Sequence, residues 1–132
     1  MRVAAVAASS VLAVSGAGAA HAAGPAGTGD GGFQCKPDGL QQEMNACAVR
    51  DYRASDAQLN IRYLAVMNAL PAQRRVGLRQ EQREWLKRRD PQCKAKAKDS
   101  EGGSIWPLNF YGCLEKLTLD RTKAINGWEG RQ

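Results

Sequence analysis

The chain is almost without histidine. Its 132 residues contain one, His21, and that residue sits in "VAAVAASSVLAVSGAGAAHAA", a run of small and apolar residues preceded by one charge, Arg2. Such a run reads as a secretory signal peptide over residues 1–22, with small residues at Ala20 and Ala22 where a signal peptidase cuts. It is too short and too rich in Gly, Ser and Ala to read as a spanning helix. Cleavage after Ala22 leaves a chain with no histidine. That excludes Ser-His and Cys-His nucleophile pairs, imidazole general bases and histidine metal sites. No C-x-x-C pair occurs among the four cysteines, which argues against zinc and against thioredoxin-type redox chemistry. No Leu-x-x-Cys pattern precedes Cys35, so no lipid anchor is expected. No segment alternates as a strand does, no internal repeat is visible, and aromatic residues make up only 6% of the chain.

Loss of residues 1–22, and of Arg2 with them, leaves 110 of the 132 residues and 18 of the 19 basic side chains against 13 acidic ones, a net charge near +5. Residues 23–34, with "AGPAGTGDGG", read as a flexible Gly-rich tail. Residues 35–132 make one small domain, in the size range where cross-links help a modest core. Cys35, Cys47, Cys93 and Cys113 all survive cleavage. In an exported domain they read as two disulfides, for which three pairings exist.

Apolar residues then recur at helical spacing. Met44, Ala48, Tyr52, Leu59, Tyr63, Val66 and Leu70 form one stripe of a first helix over 40–70. Pro71 suits the first turn of a second helix over about 71–90. Its inner face is Val76, Leu78, Trp85 and Leu86, with Gln82 and Arg89 in line. Pro91 predicts a stop or kink, with Asp90 as a cap. Beyond the loop at 99–104, a third helix begins at Ser104 or Pro107 and ends at Asn126 before Gly127. Its stripe is Phe110, Cys113, Leu114, Leu117, Arg121, Ala124 and Ile125. The predicted fold class is all-α: a small antiparallel bundle of three main helices cross-linked by two disulfides. If the first two helices pair about the turn at 70–71, facing positions sum to about 141. Tyr52 is then level with Arg89, and Cys47 with Cys93. This register leans toward Cys47–Cys93 and Cys35–Cys113, although the third helix starts at the same end and could instead offer Cys113 to Cys93.

"EMNACAVRDYRASDAQLNIRY", "LRQEQREWLKRRDPQC", "GGS" and "CLEKLTLDRTKAI" together resemble the lysozyme-inhibitor LprI-like family of small exported bacterial proteins. The matching positions are Cys47, Asp56, Leu59, Asn60, Tyr63, Gln82, Trp85, Arg89, Asp90, Cys93, Cys113 and Arg121, over about residues 35–126. The resemblance implies a helical, disulfide-bonded domain outside the cytoplasm, periplasmic or secreted, and lysozyme inhibition in some members. The chain departs from the lipoprotein for which the family is named in lacking a lipobox.

Two groups of residues stand out. Trp85, Arg89 and Cys93 are four apart and share a helix face. With Asp56, Asn60, Tyr63, Asp90 and Arg121 they read as a structural network. In it Arg89 stacks on Trp85 and pairs with Asp56 or Asp51, and Asp90 caps the helix or pairs with Arg121. The second group is a candidate binding face of Arg75, Arg79, Arg83 and Lys87, with Arg88 and Lys94 beside it. The expected protein is a non-enzymatic exported binding protein without cofactor or metal. Its expected partner is a lysozyme or other cell-wall-associated molecule, with no physiological nucleic acid. The alternative is an envelope-associated structural or stress protein that binds anionic cell-wall or lipid material through the basic helix face.

Overall fold

The computed structural model describes residues 32–131. The signal peptide read over 1–22 and most of the Gly-rich tail lie outside these residues. Three long helices follow one another: α1 over Gln41–Ala69, α2 over Ala72–Lys96 and α3 over Trp106–Gly130, with a short 3-10 turn at Lys98–Ser100 between the last two. The all-α, disulfide-linked architecture expected from the sequence is the one found, with α2 antiparallel to both other helices.

Local chemistry starts each helix. The N–H of Leu40 donates to Glu43 Oε2 at 2.8 Å, so a carboxylate in the first turn, three residues past the cap, satisfies a donor that the helix leaves free. Gly39 allows this approach, because a Cβ there would collide with Glu43 Oε2. At the other end Pro71 stops α1, and its carbonyl accepts from the N–H groups of Arg74 and Arg75 at 3.0 and 3.1 Å, opening α2.

Two helix ends differ from the sequence expectation. α2 runs through Pro91 to Lys96 instead of stopping near Asp90. Proline removes one helical hydrogen bond, but Arg89 and Cys93 on either side are buried and tied to other helices, and these anchors hold the backbone helical. α3 likewise passes Gly127. Trp128 packs against the core, its carbonyl accepts from Arg74 Nη2 at 3.0 Å, and Glu129 pairs with Arg62 at 2.7 Å.

The core forms two clusters. One joins Leu59, Val66, Met67 and Leu70 of α1 to Leu78 of α2 and Ile125 of α3. The other joins Cys93 and Ala97 to Phe110 and Leu114, with Tyr52, Trp106 and Tyr111 packed on it. Each fully buried Leu, Ile or Val contributes roughly 1.5–3 kcal/mol. Leu78 is the only α2 residue in the first cluster. Val76 and Leu86, expected on the inner face of α2, are 60% and 45% exposed. Ala124, expected inward on α3, is exposed too, whereas Thr118 is wholly buried.

The disulfides pair Cys35 with Cys47 and Cys93 with Cys113. The leaning toward Cys47–Cys93 and Cys35–Cys113 is therefore corrected, and the alternative in which Cys113 meets Cys93 holds. The reason is helical phase and packing. Cys47 lies five residues from Tyr52, well over a third of a turn round the helix at about 100° per residue, so it is off the face that Tyr52 turns to Arg89. α3 packs closely along α1 and lies against α2 as well, while α1 and α2 stand further apart. The antiparallel α2–α3 pair brings Cys93 to Cys113.

Candidate functional site

At mid-height, between the two apolar clusters, the three helices meet in a polar layer. Arg89 comes from α2 and is only 9% exposed. Its Nη1 donates to Asp56 Oδ1 of α1 at 2.8 Å and its Nε to Asp90 Oδ1 at 2.9 Å. The guanidinium lies 5.3 Å from the ring centroids of both Tyr52 and Trp85. Burial alone would lower the Arg89 pKa, but its hydrogen bonds to Asp90 and Asp56 outweigh that and raise it, so the cation is permanent. Burial also pushes the Tyr52 hydroxyl above its ordinary range.

A second buried arginine, Arg121 of α3, is 6% exposed. Its Nε donates to Gln82 Oε1 at 2.7 Å and its Nη1 to Glu81 Oε1 at 2.5 Å. It approaches the Trp85 ring to 5.9 Å. Trp85 thus has a cation at each of two approaches, an arrangement favoured by the ring quadrupole. Among the described residues no hydrogen-bond partner reaches Arg121 Nη2, which leaves the indole as part of its compensation. Partial burial raises the Glu81 pKa, but the hydrogen bond and charge of Arg121 prevail and hold it below the ordinary glutamate range.

The layer contains Asp56, Trp85, Arg89, Asp90 and Arg121 of the network expected from the sequence. Arg89 meets Trp85, and of the two carboxylates left open by the sequence it takes Asp56, while Asp51 pairs with Arg50. Asp90 differs: it neither caps α2 nor pairs with Arg121, because α2 continues past it and its carboxylate turns to Arg89. Tyr63 packs on the first apolar cluster and Asn60 is exposed, so neither belongs to the layer. Glu81 had no signal in the sequence as the Arg121 partner, since the pairing depends on the α2–α3 register. Chemically the layer is a clamp. Each carboxylate in it is engaged by an arginine, and among the described residues no cluster of three His, Cys, Asp or Glu side chains is placed to hold a metal.

The outer side of α2 is different. Arg79, Arg83, Lys87, Arg88 and Lys94 are all exposed. Lys87 pairs with Glu84 at 3.1 Å. Arg75 is half-buried and turns back, its Nε donating to Leu70 O at 2.8 Å, so it leaves the ridge. Steps of four and seven keep Arg79, Arg83, Lys87 and Lys94 on one side, whereas Arg88 lies about 100° further round from Lys87. α2 carries nine basic and three acidic residues, a net +6 that equals the formal net charge of the whole chain. α1 and α3 each balance three basic against three acidic residues. The protein is therefore an electrically neutral pair of helices bearing one cationic helix.

A groove of about 180 Å³ opens at the other end of the bundle, lined by Phe33, Gln42, Asn45, Trp106 and Tyr111 among others, with no charged side chain. Asn45 Nδ2 donates to Ser104 O at 2.7 Å, which ties the start of α1 to the loop before α3. Among the described residues no helix is long and apolar enough to cross a membrane.

A protein of Rhizobium meliloti (strain 1021), described as uncharacterized protein R02472, is 36% identical over 104 residues, covering 69% of this chain and 75% of the relative. No solved structure matches. The family model described as lysozyme inhibitor LprI matches residues 34–125, a span that holds both disulfides, the polar layer and the whole of α2; the chain belongs to the lysozyme inhibitor LprI family.

Proposed function

We propose that this chain is an exported, non-catalytic binding protein that inhibits a cell-wall-cleaving lysozyme through the outer side of α2. The observation that carries this reading is the confinement of the net charge to that one helix. A glycosidase cleft holds two carboxylates across the scissile bond. A Lys or Arg on a rigid helix complements them, and Arg83, Arg88 and Lys94 are exposed for the purpose. Family membership and the two disulfides support the reading, as does the leader read at residues 1–22.

A net positive inhibitor is repelled at long range by a strongly basic lysozyme, which lowers its association rate. An acidic or neutral lysozyme is thus the better partner. Lysis assays against several lysozyme classes at two salt concentrations test the proposal. Slowed lysis that weakens in Arg83→Glu, Arg88→Glu or Lys94→Glu variants is expected. Undiminished lysis at micromolar protein in every class would remove the proposal.

The same charge distribution favours a second reading, binding of an anionic cell-wall or lipid polymer along α2. That binding falls steeply with salt, needs no enzyme, and is weakened by charge reversal at Arg79 and Arg83. Binding to isolated envelope material that persists in those variants would rule it out.

A further inference from the structure

The sequence places Val76 and Leu86 on the inner face of α2, and the structure turns both outward, 60% and 45% exposed. Single exposed apolar residues are ordinary on a protein surface. These two, however, share the cationic side of the helix. At about 100° per residue, Val76, Arg79, Arg83, Leu86, Lys87 and Lys94 fall within one sector of α2 about 100° wide. The sector runs about 27 Å along the helix. Asp90 lies in it too, but its carboxylate is held by Arg89 at 2.9 Å. The other acidic residues of α2 are engaged as well, Glu81 by Arg121 and Glu84 by Lys87. Among the described residues Arg79, Arg83 and Lys94 are exposed and meet no carboxylate. The outer side of α2 is thus a cationic strip with apolar side chains set among its charges.

We propose that this strip is a membrane-docking surface, on which α2 lies along an anionic phospholipid bilayer. Arg79, Arg83, Lys87 and Lys94 meet the headgroup phosphates, and Val76 and Leu86 enter the acyl boundary beneath them. The inference rests on the reading of α2 as a helix that binds anionic material, and it narrows the partner to a lipid bilayer. Charge complementarity selects an anionic surface, because each Lys or Arg close to anionic lipid strengthens binding about five-fold. The apolar pair then separates a bilayer from a soluble polyanion. A hydrated phosphate polymer gains nothing from Val76 and Leu86. A bilayer places an apolar layer directly under its charges, and interfacial helices use both layers at once. The fold permits the approach. α1 and α3 pack closely on each other and hold the inner side of α2 through Arg89 and Cys93, which leaves the strip to solvent.

Co-sedimentation of the oxidised, leader-free chain with lipid vesicles tests this. The probes are vesicles of equal parts phosphatidylglycerol and phosphatidylcholine, vesicles of phosphatidylcholine alone, and long-chain polyphosphate as a soluble polyanion. Binding to the anionic vesicles and none to the neutral ones is expected. Val76→Gln and Leu86→Gln, both at exposed positions that glutamine keeps helical, should each weaken vesicle binding about five-fold. Both should leave polyphosphate binding unchanged. Arg83→Glu should weaken binding to vesicles and polyphosphate alike, by at least about ten-fold on vesicles. Binding to polyphosphate without binding to anionic vesicles would overturn the membrane proposal and leave the polyanion reading standing. Binding to neither would overturn both. Vesicle binding that persists unchanged in the two glutamine variants, or polyphosphate binding that falls equally in them, would overturn the role given to Val76 and Leu86 and the proposal with it.

Discussion

Arg89 of α2 reaches Asp56 of α1 at 2.8 Å across 33 residues of sequence, an ion pair that ties the two helices together. The same guanidinium holds Asp90 and packs on Tyr52 and Trp85. Removing the arginine therefore strips two carboxylates and two rings of a partner. Arg89→Ala should destabilise the protein by about 3 kcal/mol, in the range for breaking a buried pair. Asp56→Ala should cost only about 1 kcal/mol, since Asp90 remains and Asp56 is partly exposed. Urea denaturation of both variants checks the order; equal losses would contradict this account of the layer.

Leu78 and Val76 are two residues apart on the same helix and differ completely in burial. Leu78→Ala should cost about 3 kcal/mol, the usual loss for a leucine in a packed core. Val76→Ala should change stability by no more than about 0.5 kcal/mol, because alanine restores helix propensity where no packing is lost. A Val76→Ala variant as unstable as Leu78→Ala would mean that the inner face of α2 is wrongly phased.

The two disulfides should differ in worth. Cys93–Cys113 joins two core helices and closes a separation of 20 residues, so its removal should cost about 3 kcal/mol. Cys35–Cys47 ties an outer segment to α1, and without it that segment can open while the bundle persists. Its removal should cost less than the full loop-closure value. Thermal unfolding of the two double-Ala variants would separate them. Peptide mapping should yield linked Cys35–Cys47 and Cys93–Cys113 fragments.

Stability should respond to acid and not to pH near neutrality. Leu40 N–H and Lys36 hold the Glu43 carboxyl below its ordinary range, and Arg121 does the same to Glu81. A carboxylate depressed in the folded state stabilises the fold above its unfolded pKa, about 4.3 for glutamate. That stabilisation disappears as pH falls through the folded value. No histidine is present in residues 32–131, so the thermal midpoint should stay level from pH 8 to 6 and fall below pH 5. Glu81→Gln should flatten part of the acid limb. A midpoint already falling between pH 7 and 6 would show another titrating group.

The fold was legible in the sequence where periodicity acts within one helix. The α1 stripe from Met44 to Leu70 and the Arg89 contact with Trp85 follow from steps of three, four and seven, and the turn at 70–71 narrows the Arg89 carboxylate on α1 to Asp56 or Asp51. Legibility ended where a second or third helix chooses the outcome. Pro91 and Gly127 are local breakers overruled by neighbours tied to other helices, Cys93 to Cys113 and Trp128 to Arg74. Val76 and Leu86 are apolar but on the wrong side of α2, because the interior there is filled by Gln82, Arg89 and Arg121. The cysteine pairing failed for the same reason: it depended on α3, whose register against α2 has no signal in either segment alone. The basic face was legible except at Arg75, whose turn back to Leu70 O depends on the geometry of the 70–71 corner.

The bonds Cys35–Cys47 and Cys93–Cys113 join each cysteine to its neighbour in the chain, so the two covalent loops neither nest nor cross. A chain that enters an oxidising compartment N-terminus first presents its thiols in the order in which they must pair. An oxidase that simply couples thiols as they emerge would then produce the native connectivity, and maturation would need no isomerase to reshuffle them.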